Sequence, residues 1–161
     1  VLEFADRLYV TGRQDEAVKM YEDVLYSAQT LDVASRAALS LVQGSIDKAK
    51  FDRAKDFMLK ILNRNQEYLL NDASKLTTLA GVFHEKNMDD IAARIYEILH
   101  ARLNKNDDEY ETVLKNLGIA LTGTPDTQKA YEYLKRYQKL RKQMKLEASQ
   151  FVISKHTTNL Q

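Results

Sequence analysis

Two periods are nested in the order of apolar and polar residues. The short one is three to four residues, which marks one face of a helix. The long one appears when the alanines that open those faces are compared. Ala17-x-x-x-Tyr21, Ala54-x-x-x-Met58, Ala92-x-x-x-Tyr96 and Ala130-x-x-x-Leu134 follow one another at steps of 37, 38 and 38 residues. A recurring pair precedes each alanine: Phe4-Ala5 with Leu8, Leu41-Val42 with Ser45, Leu79-Ala80 with Phe83, and Leu117-Gly118 with Leu121. From the second member of the pair to the alanine is twelve residues every time. A fixed period of this size predicts a stacked array of similar units, each too small to bury its own apolar face.

Each unit reads as two helices. The first pair is predicted at about Val1–Thr11 and Gln14–Ala28, with Gly12 ending the first helix and Asp15 and Glu16 at the positive end of the second. Asp32 is the predicted N-cap of a helix over about Val33–Asp47, followed by one over Asp52–Asn65. Asn71 or Asp72 opens the third pair, Ala73–Lys86 and Met88–Leu103. The fourth follows Asn104-Lys105-Asn106, and Thr122-Gly123-Thr124-Pro125-Asp126 divides its helices: Gly123 ends one, Thr124 caps the next and Pro125 takes its first position. Ala130, Leu134, Tyr137, Met144, Ala148 and Phe151 carry the last helix about ten residues beyond its counterparts. The units are thus about 1–30, 31–69, 70–105 and 106–152. Residues 153–161, which lose the periodicity, form a C-terminal tail.

Composition narrows the class without naming a task. The 161 residues have a net charge of +1, one proline, five glycines and no cysteine, so there is neither a disulfide framework nor a thiolate metal site. No apolar run nears the roughly 20 residues of a membrane span. The chain starts with Val1, inside a helix, and reads as a fragment of a longer protein, soluble, with the cytoplasm ahead of the periplasm. Charge is uneven: residues 126–161 hold eight basic and three acidic side chains, net +5, and residues 1–125 sixteen and twenty, net −4. Lys135, Arg136, Lys139, Arg141, Lys142 and Lys145 follow one another with no acidic residue between them. Two readings stand: a solvated cap on the last unit, or a basic site at Lys135, Lys139, Lys142 and Lys145 for an acidic partner or nucleic acid.

Catalytic and metal motifs are missing. His84-Glu85-Lys86-Asn87-Met88 opens like a zinc-protease helix, but Met88 stands where the second histidine must bind the metal. Asp89-Asp90 and Asp107-Asp108-Glu109 sit at helix starts, where carboxylates serve the dipole. No two glycines have the spacing of a phosphate loop. No cofactor and no metal are expected, and the chain reads as non-enzymatic.

Leu117-Gly118-x-x-Leu121 leading to Ala130, and Gly12-x-x-x-x-Ala17-x-x-x-Tyr21, resemble the tetratricopeptide repeat (TPR). The resemblance covers residues 1 to about 140. It departs from the family where Val1, Ala38, Leu76 and Leu114 replace a tryptophan, where each closing proline is missing, and in exceeding the 34-residue period. It implies an all-α fold, a right-handed solenoid of about four helix-turn-helix units with an extended C-terminal helix. It also implies a protein-protein interaction scaffold that takes a partner helix or peptide in a concave groove lined by the first helix of each unit. With packing positions removed, the groove residues are Asp6 and Tyr9; Arg36, Leu39, Gln43 and Ile46; Thr77, Gly81 and His84; and Lys115, Ile119 and Thr122, with Leu39 and Ile46 as apolar anchors. Co-chaperones of the family clamp a peptide carboxylate with a lysine and an asparagine, but Leu2 and Asp6 stand there, so no such clamp is expected. The alternatives are a peptide-sensing regulatory domain of a larger protein, and binding of an acidic partner through the basic last helix, with nucleic acid disfavoured. Partner identity and oligomeric state are not encoded.

Overall fold

The computed structural model describes residues 2–27, 31–64 and 73–160. Among them are eight helices and no strand: α1 (Leu2–Val10), α2 (Gln14–Ser27), α3 (Leu31–Asp47), α4 (Phe51–Arg64), α5 (Ala73–Glu85), α6 (Asp89–Arg102), α7 (Tyr110–Thr122) and α8 (Thr127–Leu160). No helix among the described residues is long and apolar enough to cross a membrane.

Three pairs turn in the same way. The middle residue of each tight connection is left-handed: Gly12 at φ 90°, Ala49 at 56° and Asn87 at 59°. The amide of the residue after it reaches back five positions, Arg13 to Leu8 (2.9 Å), Lys50 to Ser45 (2.9 Å) and Met88 to Phe83 (2.8 Å). The left-handed residue itself bonds three back, Gly12 to Tyr9, Ala49 to Ile46 and Asn87 to His84. Both bonds satisfy carbonyls that a helix end leaves open, the arrangement of a Schellman turn. Only the first of these turns was legible, because only there does a glycine occupy the left-handed site.

The fourth turn is built differently. Gly123 ends α7 as predicted, but with φ −85°. A Cβ there would fall 1.8 Å from Asp89 Oδ2, so glycine is required by the approach of α6, not by backbone conformation. Helix α8 starts later than Thr124 and Pro125 predict. Thr124 Oγ1 donates to the Leu121 carbonyl (2.7 Å) and accepts the Asp126 amide (3.2 Å), and the first helical bond runs from the Ala130 amide to the Asp126 carbonyl (3.1 Å). Pro125 therefore belongs to the turn. Likewise α3 begins at Leu31, which puts Asp32 inside the helix instead of at its cap. Asn71 and Asp72 lie outside the described residues. Helix α8 runs on to Leu160, so the tail expected from 153 is the end of that helix.

Packing follows the chain. Helix α1 lies on α2, α2 on α3, α3 on α4, α5 on α6, α6 on α7 and α7 on α8, and α4 also meets α6. Small residues sit where axes approach: Ala5, Ala17, Ala54, Ala80 and Ala92 are wholly buried. At Gly118 a Cβ would meet Leu134 Cδ2 at 2.7 Å and its backbone nitrogen at 3.3 Å, so α7 and α8 touch there. Phe4 departs from its counterparts. Leu41, Leu79 and Leu117 are buried, whereas Phe4 is exposed.

Helix α3 packs on two sides. Ala37 and Leu41 enter a cluster with Ala5, Leu8, Ala17, Val18 and Tyr21. Ala38, Leu39 and Val42 enter the main core with Met58, Leu76 and Phe83. This overturns the reading of Leu39 and Ile46 as free groove anchors: Leu39 is 3% exposed, and Ile46 is half-buried against the core. A helix held between two neighbours needs a wider apolar face than one pair requires, and Leu39 and Ile46 supply the extra width.

Candidate functional site

Where α1, α3 and α5 come together they leave a cavity of 190 Å³. Asp6 and Tyr9 of α1, Leu39, Ser40, Gln43 and Gly44 of α3, Lys75 and Leu79 of α5, and Tyr21 of α2 line it. First helices of three consecutive units thus build one hollow, with leucines and tyrosine rings as its apolar part and charged groups around them.

Its polar residues hold one another in place. Asp6 accepts from the Tyr21 hydroxyl and from Arg36 Nη2, the latter at 2.7 Å. Asp47, at the end of α3, accepts from the Tyr9 hydroxyl at 2.6 Å and from Gln43 Nε2 at 2.7 Å. Two of these bonds, Tyr9 to Asp47 and Arg36 to Asp6, join α1 to α3 and fix the register of the first unit on the second. Burial, and then the bond to Asp6, push the Tyr21 hydroxyl up to about 12. Burial and Asp47 raise that of Tyr9 further. Both phenols are hydrogen-bond donors at neutral pH.

Of the twelve groove residues predicted from the repeat, Asp6, Tyr9, Leu39 and Gln43 line the cavity, and Arg36 braces it. Leu39 does so as part of its buried floor. The third unit contributes Lys75 and Leu79, and none of Thr77, Gly81 and His84 lines it. Thr77 Oγ1 bonds the Ala73 carbonyl, and Gly81 faces open space. His84 Nδ1 lies 2.5 Å from Asp89 Oδ1, where α5 turns into α6. Lys115, Ile119 and Thr122 lie on α7, away from this cavity.

Tyr21, Ser40, Gly44, Lys75, Leu79 and Asp47 were missed. Tyr21 holds the apolar position of the repeated Ala17-x-x-x-Tyr21 step, and its ring is buried. A buried phenol still needs a hydrogen-bond partner, and that signal points from Tyr21 toward a carboxylate on a neighbouring helix. Gly44 has its reason in Tyr9, whose Cε2 would stand 3.1 Å from a Cβ at that position.

The basic residues of α8 are placed otherwise. Lys135, Lys139, Lys142 and Lys145 are all exposed. Lys139 shares a second hollow with Lys105, Tyr110, Leu114, Arg136, Leu140 and Gln143. Lys142 and Lys145 flank Tyr137 in a third. Among the described residues no group of three or more His, Cys, Asp or Glu side chains is arranged to hold a metal ion.

No protein-family model matches the chain, and no curated protein matches it by sequence. Solved structures do. A putative kinesin light chain with nearly identical TPR-like repeats from Podosopora anserina superposes with a TM-score of 0.54 at 15% identity, covering 88% of this chain and 74% of that one. A point variant of that protein gives 0.52 at 14% identity, over 88% and 73%. BtubC from P. vanneervenii gives 0.49 at 22% identity, over 88% and 62%. With eight helices and no strand among the described residues, and with the likeness to the kinesin light chain repeat structures, the chain has the fold of TPR-like helical repeat proteins.

Proposed function

We propose that the chain is a non-catalytic protein-interaction module that receives a side chain of a partner peptide in the cavity between α1, α3 and α5. The observation that carries this reading is the cavity's construction: three successive first helices converge on it, with a leucine and tyrosine floor and Ser40, Gln43 and Lys75 at its sides. Repeat arrays bind through surfaces of this kind, assembled from equivalent helices. The volume holds one side chain, and the formal charges of Asp6, Arg36, Asp47 and Lys75 around it cancel. A peptide would thus be held by shape and hydrogen bonding more than by net charge. Thr77, Gly81, Lys115, Ile119 and Thr122 belong to this reading as an extension of the contact along later first helices.

Ser40→Phe tests it by filling the hollow with a side chain from half-buried α3. Peptides selected on an immobilised library against the parent chain should lose binding at least about tenfold to the Ser40→Phe variant, with its melting temperature close to the parent's. Equal binding of the selected peptides to both chains would remove the cavity as the site.

A further inference from the structure

Helix α8 outruns the helix it packs against. The residues it turns toward α7 and the core include Ala130, Tyr133, Leu134, Tyr137 and Leu140. The same stripe continues through Met144, Ala148 and Val152, but α7 begins at Tyr110 and nothing described lies opposite them. Met144 is 48% exposed and Val152 65%. About 24 Å of helix, residues 145–160 at 1.5 Å each, follows Met144. Isolated helices of that length are marginal in water, and an apolar stripe along one is the usual preparation for a second helix.

The stripe begins in a trough. Leu114, Tyr110 and Leu140 form the floor of a hollow of 380 Å³, and Lys105, Arg136 and Lys139 stand around it without a carboxylate among its lining residues. Arg136 lies over the Tyr133 ring at 5.3 Å, which keeps its guanidinium at the rim. Arg141 and Lys145 follow on the other edge. Within this rim one carboxylate lies at ion-pair distance among the described residues, Glu111, 3.7 Å from Arg141 Nε.

That charge pattern selects the occupant. A second copy of α8 is disfavoured, since residues 133–160 carry seven lysines and arginines against Glu147 alone, so parallel or antiparallel self-pairing sets like charges together. A bare polyanion would answer the cations and leave Leu140, Met144 and Val152 uncovered. A carboxylate-rich amphipathic helix answers both features.

We propose that the trough where α8 outruns α7, floored by Tyr110, Leu114 and Leu140, rimmed by Lys105, Arg136 and Lys139 and continued along α8 by the exposed Met144, docks an acidic amphipathic helix of a partner protein. Apolar residues of the partner lie along the stripe, and its glutamates or aspartates meet the rim. This site is separate from the cavity between α1, α3 and α5, and stands or falls without it.

The test uses the whole chain and two synthetic probes of about 20 residues, each with leucines on one helical face. One carries glutamates on the flanks and the other lysines. By fluorescence anisotropy the glutamate probe should bind at least about tenfold more tightly than the lysine probe. Met144→Glu should weaken it by a similar factor with no fall in melting temperature, because the side chain is exposed. Lys105→Glu with Lys139→Glu should invert the preference between probes. Equal binding of both probes, or indifference to Met144→Glu, overturns the proposal. So does displacement of the glutamate probe by duplex DNA or phosphatidylglycerol vesicles whose binding survives Met144→Glu. A dimer in sedimentation that Met144→Glu dissolves would replace the acidic partner with a second copy.

Discussion

Tyr9 of α1 and Asp47 of α3 are 38 residues apart and joined by a hydrogen bond of 2.6 Å, while the Tyr9 ring lies against Gly44 one turn before Asp47. One side chain therefore sets both the distance between two first helices, through its ring, and their register, through its hydroxyl. Because Tyr9 also lines the cavity, the repeat stacking and the candidate site share a residue. Tyr9→Phe keeps the ring and removes the donor, leaving Asp47 with Gln43 alone. An exposed bond of this kind contributes roughly 0.5–1.5 kcal/mol, which a urea denaturation midpoint resolves.

The two phenols also predict an alkaline limit. Folding raises the Tyr21 value from 10.0 to about 12, and that of Tyr9 upward as well. Above pH 10 the folded chain therefore binds more protons than the unfolded one. The stabilisation is complete below pH 10 and is lost as pH rises toward 12 and beyond. Urea midpoints should fall over that range in the parent. The fall should be shallower in the Tyr9→Phe, Tyr21→Phe double variant, and an unchanged slope would contradict the assignment.

Leu39 distinguishes the core from the groove. It is buried with Val42, Met58 and Leu76, so Leu39→Ala should cost about 2–5 kcal/mol, as other core truncations do. Thermal unfolding measures this directly. A variant that melts with the parent would return Leu39 to the exposed wall.

Ala49 is left-handed in a turn where its counterpart is Gly12. An alanine pays about 1 kcal/mol for that backbone, so Ala49→Gly should stabilise the chain by roughly 0.5–1 kcal/mol. Asn87→Gly should gain less, since asparagine tolerates the same conformation. Melting temperatures of the two variants should rank in that order.

Gly118 and Gly81 should respond in opposite directions to the same change. A methyl at 118 runs into Leu134, side chain and backbone, and Gly118→Ala should cost about 1–3 kcal/mol. A methyl at 81 meets nothing within 4 Å, and removing a glycine from the middle of α5 should gain about 0.5–1 kcal/mol. Guanidinium titration of the pair checks both signs at once.

Those two glycines also show how far a single chain can be read. Gly118 was identifiable as a helix contact because it holds the small position of a repeated pair, and repetition supplies its own controls. Gly123 was identifiable as a stop, but its cause, Asp89 arriving from another unit, was not. Pro125 and Asp32 were misplaced for a related reason: a cap is set by which carbonyl is free to accept, and Thr124 used its hydroxyl for the turn. At the cavity, Asp6, Tyr9 and Gln43 follow from the face of a repeat, whereas Lys75 and Asp47 enter from positions outside that face.

The sequence by itself determined the number of units, the pairing of helices within them and the small residues at their contacts. These depend on periodicity within the chain, which a 38-residue step and a 3.6-residue turn together make unambiguous. Only the tertiary structure decided which surplus apolar residues were core and which were surface. Leu39 went inward because α3 is flanked on two sides, and Met144 stayed outside because α7 starts too late in the chain to lie against it. Both outcomes depend on where a neighbouring helix stops, a distance in space that no spacing along one helix encodes.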